Sequence, residues 1–201
     1  MKRKPLKGGA AKGAQNQSQG QLRIIAGRWR GRKLSFPALP GVRPTPDRVR
    51  ETLFNWLQFQ LDNAQCLDLF AGSGALGLEA LSRGVANCQF VEASGPMSQA
   101  LQGHVKTLNC SQAKIATADC LKWLDQPASQ QFDLVMLDPP YHKGFAEPTC
   151  QLLQDKGWLT GKSMIYVEVE TELGQPVVPV GWQLHRQTSA GQVSGWLFNQ
   201  S

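Results

Sequence analysis

The 201-residue sequence lacks the apolar runs of a membrane or secreted protein. No stretch approaches the roughly 20 apolar residues of a membrane helix, and no apolar signal core follows the basic N-terminus. Its five cysteines are odd in number and form no C-x-x-C pair, and its three histidines are scattered. These absences argue against a disulfide framework and against a metal site. We therefore expect a soluble cytoplasmic protein with reduced thiols, no membrane association and no metal.

Acidic residues are almost missing from the first quarter of the chain. Residues 1–50 hold thirteen Lys or Arg and one acid, Asp47, a balance of +12, whereas residues 51–201 hold eight Lys or Arg and fourteen acids, a balance of −6. A basic segment on an acidic body suits a polyanionic partner that is engaged from one side. The candidate contacts to such a partner are Arg28, Arg30, Arg32, Lys33, Arg43, Arg48 and Arg50.

Three segments follow from composition and pattern. Residues 1–20 have almost no apolar content and are expected to be a disordered basic tail. Residues 21–62 are expected to form a small hairpin, with its arginines on one face, and then a helix. In that helix Thr45 can cap the start and Pro46 suits the first helical position. Residues 63–201 are expected to form the main domain.

From residue 65 onward, strand-like and helix-like runs alternate. This alternation indicates right-handed βαβ crossovers and an α/β fold with a mainly parallel sheet. Two final strand-like runs are separated by a turn too short for a helix, so we expect them to pair as an antiparallel hairpin. The expected strands are Cys66–Phe70, Cys88–Val91, Lys114–Thr117, Phe132–Leu137, Met164–Val169, Trp182–Thr188 and Val193–Phe198, and the expected helices are Ala75–Arg83, Pro96–Leu108, Cys120–Leu124 and about Glu147–Gln154.

A glycine-rich loop, G-x-G-x-x-G, follows the first of these strands at Gly72. Such a loop brings backbone close to a ligand, but many nucleotide-binding sheets share it. Asp68 ends the strand before it, and a carboxylate there would repel a pyrophosphate and attract the cationic S-adenosylmethionine. Glu92 ends the second strand and can accept hydrogen bonds from ribose hydroxyls, while Asp119 follows the third strand and can approach the adenine edge.

The fourth strand runs directly into Asp138-Pro139-Pro140-Tyr141. Ligands bind beyond the carboxyl ends of parallel strands, so this loop should face the cofactor. The Asp138 carboxylate and the Pro139 carbonyl can accept the two N–H groups of a conjugated amine and aim its lone pair at a methyl group. Pro139 and Pro140 stiffen the loop and remove competing backbone donors, and Tyr141 can stack on a flipped-out base. This chemistry does not separate guanine from adenine or cytosine.

The residues from about Leu22 to Phe198 resemble the D-type family of bacterial 16S ribosomal RNA guanine-N2 methyltransferases. The most specific marks are Arg23-Ile24-Ile25-Ala26-Gly27 and Arg43-Pro44-Thr45 with the run from Asp47 to Phe54. The resemblance implies a Rossmann-like, class I methyltransferase fold with a seven-stranded sheet. It also implies S-adenosylmethionine as cofactor, and as substrate a guanine in 16S rRNA of an assembled or nearly assembled small subunit. The cofactor positions that it implies are Asp68, Phe70, Ala71, Gly72, Ser73, Gly74, Glu92, Ala93, Asp119 and Cys120.

Other functions stay open at this point. The same loop chemistry serves DNA adenine or cytosine amines and protein glutamine amides, although this chain has little room for a DNA-recognition region. The other alternative is not an enzyme. It is a non-catalytic RNA-binding assembly factor that retains a vestigial cofactor cavity. Nothing in the sequence demands more than a monomer or shows whether naked RNA is a substrate.

Overall fold

The computed structural model describes residues 19–39 and 45–200. Within them, no helix is both long and apolar enough to cross a membrane. The strands are β1 Gln19–Arg23, β2 Lys33–Pro37, β3 Gln65–Leu69, β4 Asn87–Glu92, β5 Ala113–Thr117, β6 Phe132–Leu137, β7 Leu159–Glu170, β8 Trp182–Ala190 and β9 Val193–Gln200. The helices are α1 Asp47–Trp56, α2 Ala75–Ser82, α3 Gly95–Thr107, α4 Cys120–Leu124 and α5 Ala146–Asp155.

Seven strands form one sheet in the order β5-β4-β3-β6-β7-β9-β8. The first five are parallel, and β9 runs antiparallel to both β7 and β8. The chain leaves β3 toward β4 and β5 on one side and returns to β6 on the other. The carboxyl ends of β3 and β6 therefore flank the crevice where ligands bind in such sheets. The predicted mainly parallel sheet with a terminal antiparallel hairpin is confirmed.

Alternate side chains of the central strands β3, β6, β7 and β9 enter two separate hydrophobic clusters. Cys66 of β3 packs with the N-terminal hairpin, α1, α2 and α3, whereas its neighbour Leu67 packs with α4 and α5. Burial on both faces explains why these strands are apolar almost throughout. Leu22 and Phe36 of the N-terminal hairpin belong to the first cluster, so the hairpin and the sheet share one core. The division of the chain near residue 62 stays a prediction.

The hairpin differs from expectation in two ways. β1 begins at Gln19, so Gln19 and Gly20 are strand residues and not part of the tail; the ring of Phe36 fills the space where a side chain at position 20 would lie. Arg28, Arg30 and Arg32 lie in the connection between the strands, which contains a short 3-10 turn, and not on a strand face. The expected tail 1–18 and Arg43 lie outside the described residues.

The start of α1 also differs. The helix begins at Asp47, and Pro46 precedes it without a side-chain cap. Thr45 does not cap the helix, because its hydroxyl bonds elsewhere.

Arg50 of α1 lies in the core, 1% exposed, so its position is incompatible with the predicted contact to RNA. It pairs with Asp47 at 2.6 Å and with the fully buried Glu79 of α2 at 3.6 Å. Glu79 also accepts hydrogen bonds from the backbone N–H groups of Ile25 and Ala26 and from Arg83. One buried carboxylate therefore joins the hairpin connection, α1 and α2.

We predict that Glu79→Gln destabilises the protein by about 3 kcal/mol, because the amide removes the charge that faces Arg50 and Arg83 and places an NH2 group where a carboxylate oxygen accepts a backbone N–H of Ile25 or Ala26. Urea unfolding measures the effect. Glu51→Gln, an exposed position on the same helix as Arg50, is the matched control and should cost less than about 0.5 kcal/mol. Equal midpoints for the two variants would contradict this role for Glu79.

Candidate active site

A cavity of about 740 Å³ opens at the carboxyl ends of β3, β4, β5 and β6. Its volume lies in the range of small-molecule sites, roughly 300–1,000 Å³. Every residue that the resemblance assigned to the cofactor lines it, apart from Gly74. So do Asp138, Pro139, Pro140 and Tyr141, which form the loop predicted to be catalytic and are called the catalytic loop below. Within the described residues, no group of three or more acidic, His or Cys side chains could hold a metal ion.

The glycine loop turns sharply between β3 and α2. Gly72 and Gly74 have φ values of 52° and 80°, which side-chain-bearing residues rarely adopt. A Cβ at Gly77 would collide with the ring of Phe90 and with the Asp68 carboxylate. Phe70 also has a left-handed φ of 58°, and such strain in a bulky residue concentrates at ligand sites.

Asp68 is buried beneath this loop. Its Oδ2 accepts a hydrogen bond from the backbone N–H of Gly77 at 2.8 Å. Burial and, to a smaller extent, the charge of Glu92 raise the pKa of Asp68 to about 8, against the opposing effect of that bond. Among the residues that the structure describes, Asp68 has no cationic partner. A bound cation would therefore stabilise its ionised form.

The two acids at the ends of β4 and β5 also face the cavity. Glu92 accepts hydrogen bonds from the backbone N–H groups of Gly72 and Ser94, at 2.7 and 2.6 Å. It thus links the glycine loop to the start of α3. Asp119 caps α4 by accepting from Lys122 N–H at 3.0 Å, and it lines the cavity as well. Capping and ligand contact are compatible, because a carboxylate has two oxygens that accept.

Asp138 projects into the cavity from the end of β6, beside Pro139 and Pro140. The hydroxyl of Thr45 donates to its Oδ2 at 3.3 Å. Burial, together with the charges of Glu168 and Asp68, raises the pKa of Asp138 well above its ordinary value. The segment before α1 therefore contributes directly to the catalytic loop, an arrangement that the cap interpretation of Thr45 missed.

A buried acid on β7, Glu168, was also missed. It accepts hydrogen bonds from the hydroxyls of Tyr166 at 2.9 Å and Tyr141 at 3.4 Å. Burial raises its pKa to about 7, although these bonds lower it. The next acid on the same strand, Glu170, accepts from the backbone N–H of His142 at 3.1 Å. Two acids of one strand thus hold Tyr141, the last residue of the catalytic loop, and His142, which follows it. The sequence contains a signal for these two acids, because the run Val167-Glu168-Val169-Glu170 places two carboxylates at the end of an otherwise apolar stretch.

The basic residues are not gathered at this cavity. Arg28, Arg30, Arg32 and Lys33 are exposed around the hairpin connection, and Arg48 is exposed on the first turn of α1. None of these five forms an ion pair with another described residue. The charged residues that line the cavity are mostly acids.

Comparison with known proteins places these features in context. The profile of a family described as "Conserved hypothetical protein 95" matches residues 22–199. Ribosomal RNA small subunit methyltransferase D of Escherichia coli is 49% identical over 92% of this chain and 93% of its own length. The protein of the same name in Haemophilus influenzae is 45% identical over 90% of this chain and 95% of its own. A solved Escherichia coli structure, named yhhF, is 48% identical, has a TM-score of 0.83, and covers 90% of this chain and 98% of its own.

With this sheet order and this cavity, the protein has the Rossmann-like fold of class I S-adenosylmethionine methyltransferases. Its similarity to these relatives covers the sheet and also the N-terminal hairpin with α1, together called the N-terminal extension. The chain belongs to the ribosomal RNA small subunit methyltransferase D family.

We predict that Asp68 makes the cofactor-free protein less stable as pH rises. An acid whose pKa is raised on folding stabilises the folded state at low pH, and this contribution is lost as pH rises from about 4 to about 8. Asp68→Asn keeps an acceptor for the Gly77 N–H and removes the titration. Between pH 5 and pH 8, the wild type should lose more than about 1.4 kcal/mol relative to this variant, the equivalent of one pKa unit. Chemical denaturation measures the free energy of unfolding at each pH. If it changed equally with pH in the wild type and in Asp68→Asn, the raised pKa of Asp68 would be contradicted.

Proposed function

We propose that this protein transfers a methyl group from S-adenosylmethionine to the exocyclic N2 of a guanine in 16S rRNA, within an assembled or nearly assembled small subunit. The observation that carries this proposal is the position of Asp138 in an acid-walled cavity beside the glycine loop. The names of the curated relatives support rRNA of the small subunit as substrate.

The residues of the cavity fit S-adenosylmethionine. Asp68 and Asp138 are buried acids whose charge would be balanced by a cationic ligand. Glu92 and Asp119 stand at the strand ends where ribose and adenine contacts are made in this fold. When it is bound, the cofactor supplies an electrophilic methyl group on a sulfonium.

Asp138 and Pro139 would then act on the target amine. The carboxylate accepts one N–H and the Pro139 carbonyl accepts the other, which draws the nitrogen toward tetrahedral geometry. Thr45 holds one carboxylate oxygen by a hydrogen bond, so the other is free for the substrate. Positioning dominates such a displacement, because bringing reactants into line removes much of the entropic barrier.

An acid-lined wall favours guanine over the other bases with amines. Guanine presents two adjacent donors, N1–H and the N2 amine, whereas adenine and cytosine present an acceptor beside their amine. With the N2 hydrogens taken by Asp138 and the Pro139 carbonyl, the N1–H of guanine would need a further acceptor, and the other acids of the cavity wall can supply one. The Tyr141 ring, held through its hydroxyl by Glu168, would stack on the flipped base.

We predict that the wild-type protein, given labelled S-adenosylmethionine and small subunits from cells lacking the enzyme, forms N2-methylguanosine at one position of 16S rRNA. Asp138→Ala should lower the rate at least about 100-fold, a loss typical of a removed group that contacts the reacting atoms, and should bind RNA like the wild type. Mass mapping of nuclease fragments identifies the nucleoside. Label confined to protein or DNA, methylated adenine or cytosine, or an active Asp138→Ala variant would refute the proposal.

We predict that affinity for S-adenosylmethionine rises with pH between about 6 and 8. The pKa values of Asp68 and Asp138 are raised in the folded protein, and a bound cation favours their ionised forms, so binding releases protons. Calorimetry in two buffers of different ionisation enthalpy measures that release. It should be smaller in Asp68→Asn, and proton uptake by the wild type would contradict the coupling.

A further inference from the structure

The connection between β1 and β2 lies near the amino ends of the parallel strands, whereas the cavity lies at their carboxyl ends. Helices α2 and α3 begin beside the cavity, where Ala75 and Met97 line it, and run back toward the amino ends of the strands. The connection contacts the far ends of both helices. Trp29 N–H donates to Ser82 at 3.0 Å, and Arg32 donates to the Thr107 carbonyl at 3.4 Å. Along the helix axes, Ala75 and Ser82 of α2 are about 10 Å apart and Met97 and Thr107 of α3 about 15 Å apart, so the connection lies about 10–15 Å from the cavity lining.

The hairpin is held firmly against α3 at this edge. His104 of α3 bonds the Ser35 carbonyl of β2 at 3.0 Å. Arg28 donates to the side chain of Gln112, just before β5, at 2.9 Å, and its guanidinium lies over the Trp29 ring. The cations of the connection therefore have a fixed place relative to the last turn of α3.

That last turn carries one more exposed cation, Lys106. Among the described residues, its side chain has no hydrogen-bond or ion-pair partner, and the same is true of Lys33. No acid occurs in the sequence from Gln19 to Leu39 or from Ala93 to Ala118. The surface formed by the connection and this turn is thus purely cationic, whereas Arg23, Arg50 and Arg83 are all paired with acids.

We propose that Arg28, Arg30, Arg32, Lys33 and Lys106 form one RNA-binding surface, here called the basic edge surface, about 10–15 Å from the residues that line the catalytic cavity. The substrate would then be a folded RNA long enough to reach both places, and not an isolated nucleotide or short loop. This inference rests on the proposed RNA substrate. It adds α3 to the RNA-contacting elements and separates the residues that bind RNA from those that react with its base.

The surface suits phosphate groups and not base edges. Exposed, unpaired Lys and Arg neutralise phosphates and release counterions, so each contact contributes about one unit to the slope of log affinity against log salt. Because such a contact lies away from the catalytic cavity, it changes the affinity for RNA and leaves the rate of the chemical step unchanged. The expected signature of a lost contact is a higher KM with an unchanged kcat.

The test compares Lys106→Gln, the double variant Lys33→Gln/Lys106→Gln, and the control Lys162→Gln. Lys162 is an exposed lysine at the start of β7, also without a described partner. Binding of 16S rRNA is measured by fluorescence anisotropy across a salt series. The slope should fall by about 1 for the single variant and about 2 for the double variant, with no change for the control. Because binding requires no turnover, the result is informative even if guanine N2 is not the target.

Kinetics complete the test. The double variant should show a severalfold higher KM for small subunits with kcat within about twofold of the wild type, and unaltered binding of a short stem-loop that contains only the target region. Unchanged salt slopes, an equal change in the control, or a fall in kcat alone would overturn the proposal. Weaker binding to small subunits but not to naked 16S rRNA would also overturn it, because the surface would then contact a ribosomal protein.

Discussion

The buried carboxylate of Glu79 holds the N-terminal hairpin, α1 and α2 together, and the packing of the rest of the molecule depends on it. It is fully buried, and it accepts hydrogen bonds from Ile25 N–H and Ala26 N–H while it pairs with Arg50 and Arg83. Isolated buried charges are too costly to keep, so a carboxylate in this position requires all of these partners together. The hairpin connection, α1 and α2 are consequently fixed relative to one another.

This network extends to the catalytic loop through a short chain of contacts. Arg50 holds Asp47 at the start of α1, and Thr45, two residues earlier, donates its hydroxyl to Asp138. The N-terminal extension therefore acts as a structural part of the active site as well as a carrier of positive charge. The two roles explain why the Arg-rich segment contains both exposed arginines and a fully buried one.

The sequence predicted the sheet well because a doubly covered parallel strand has a local signature. β6 and α4 occur with the predicted bounds, Phe132–Leu137 and Cys120–Leu124. β7 begins five residues earlier than predicted, at Leu159, since its first part is polar and is interrupted by a bulge opposite β6. The roles of Arg50 and Thr45 escaped prediction for a different reason. Their partners, Glu79 and Asp138, lie 29 and 93 residues away, and no local pattern shows which charged side chains will meet inside a core.

The distribution of charge explains which part of an RNA would enter the cavity in the proposed reaction. Acids line the cavity, and unpaired cations occupy the basic edge surface. A phosphate backbone is attracted to the second and repelled by the first. A base carries no net charge and presents donors, so it is the part of a nucleotide that an acidic cavity accepts most readily. RNA held by its phosphates at the far edge would therefore offer the cavity a flipped base, and the same acids that repel the backbone would accept the N–H groups of that base.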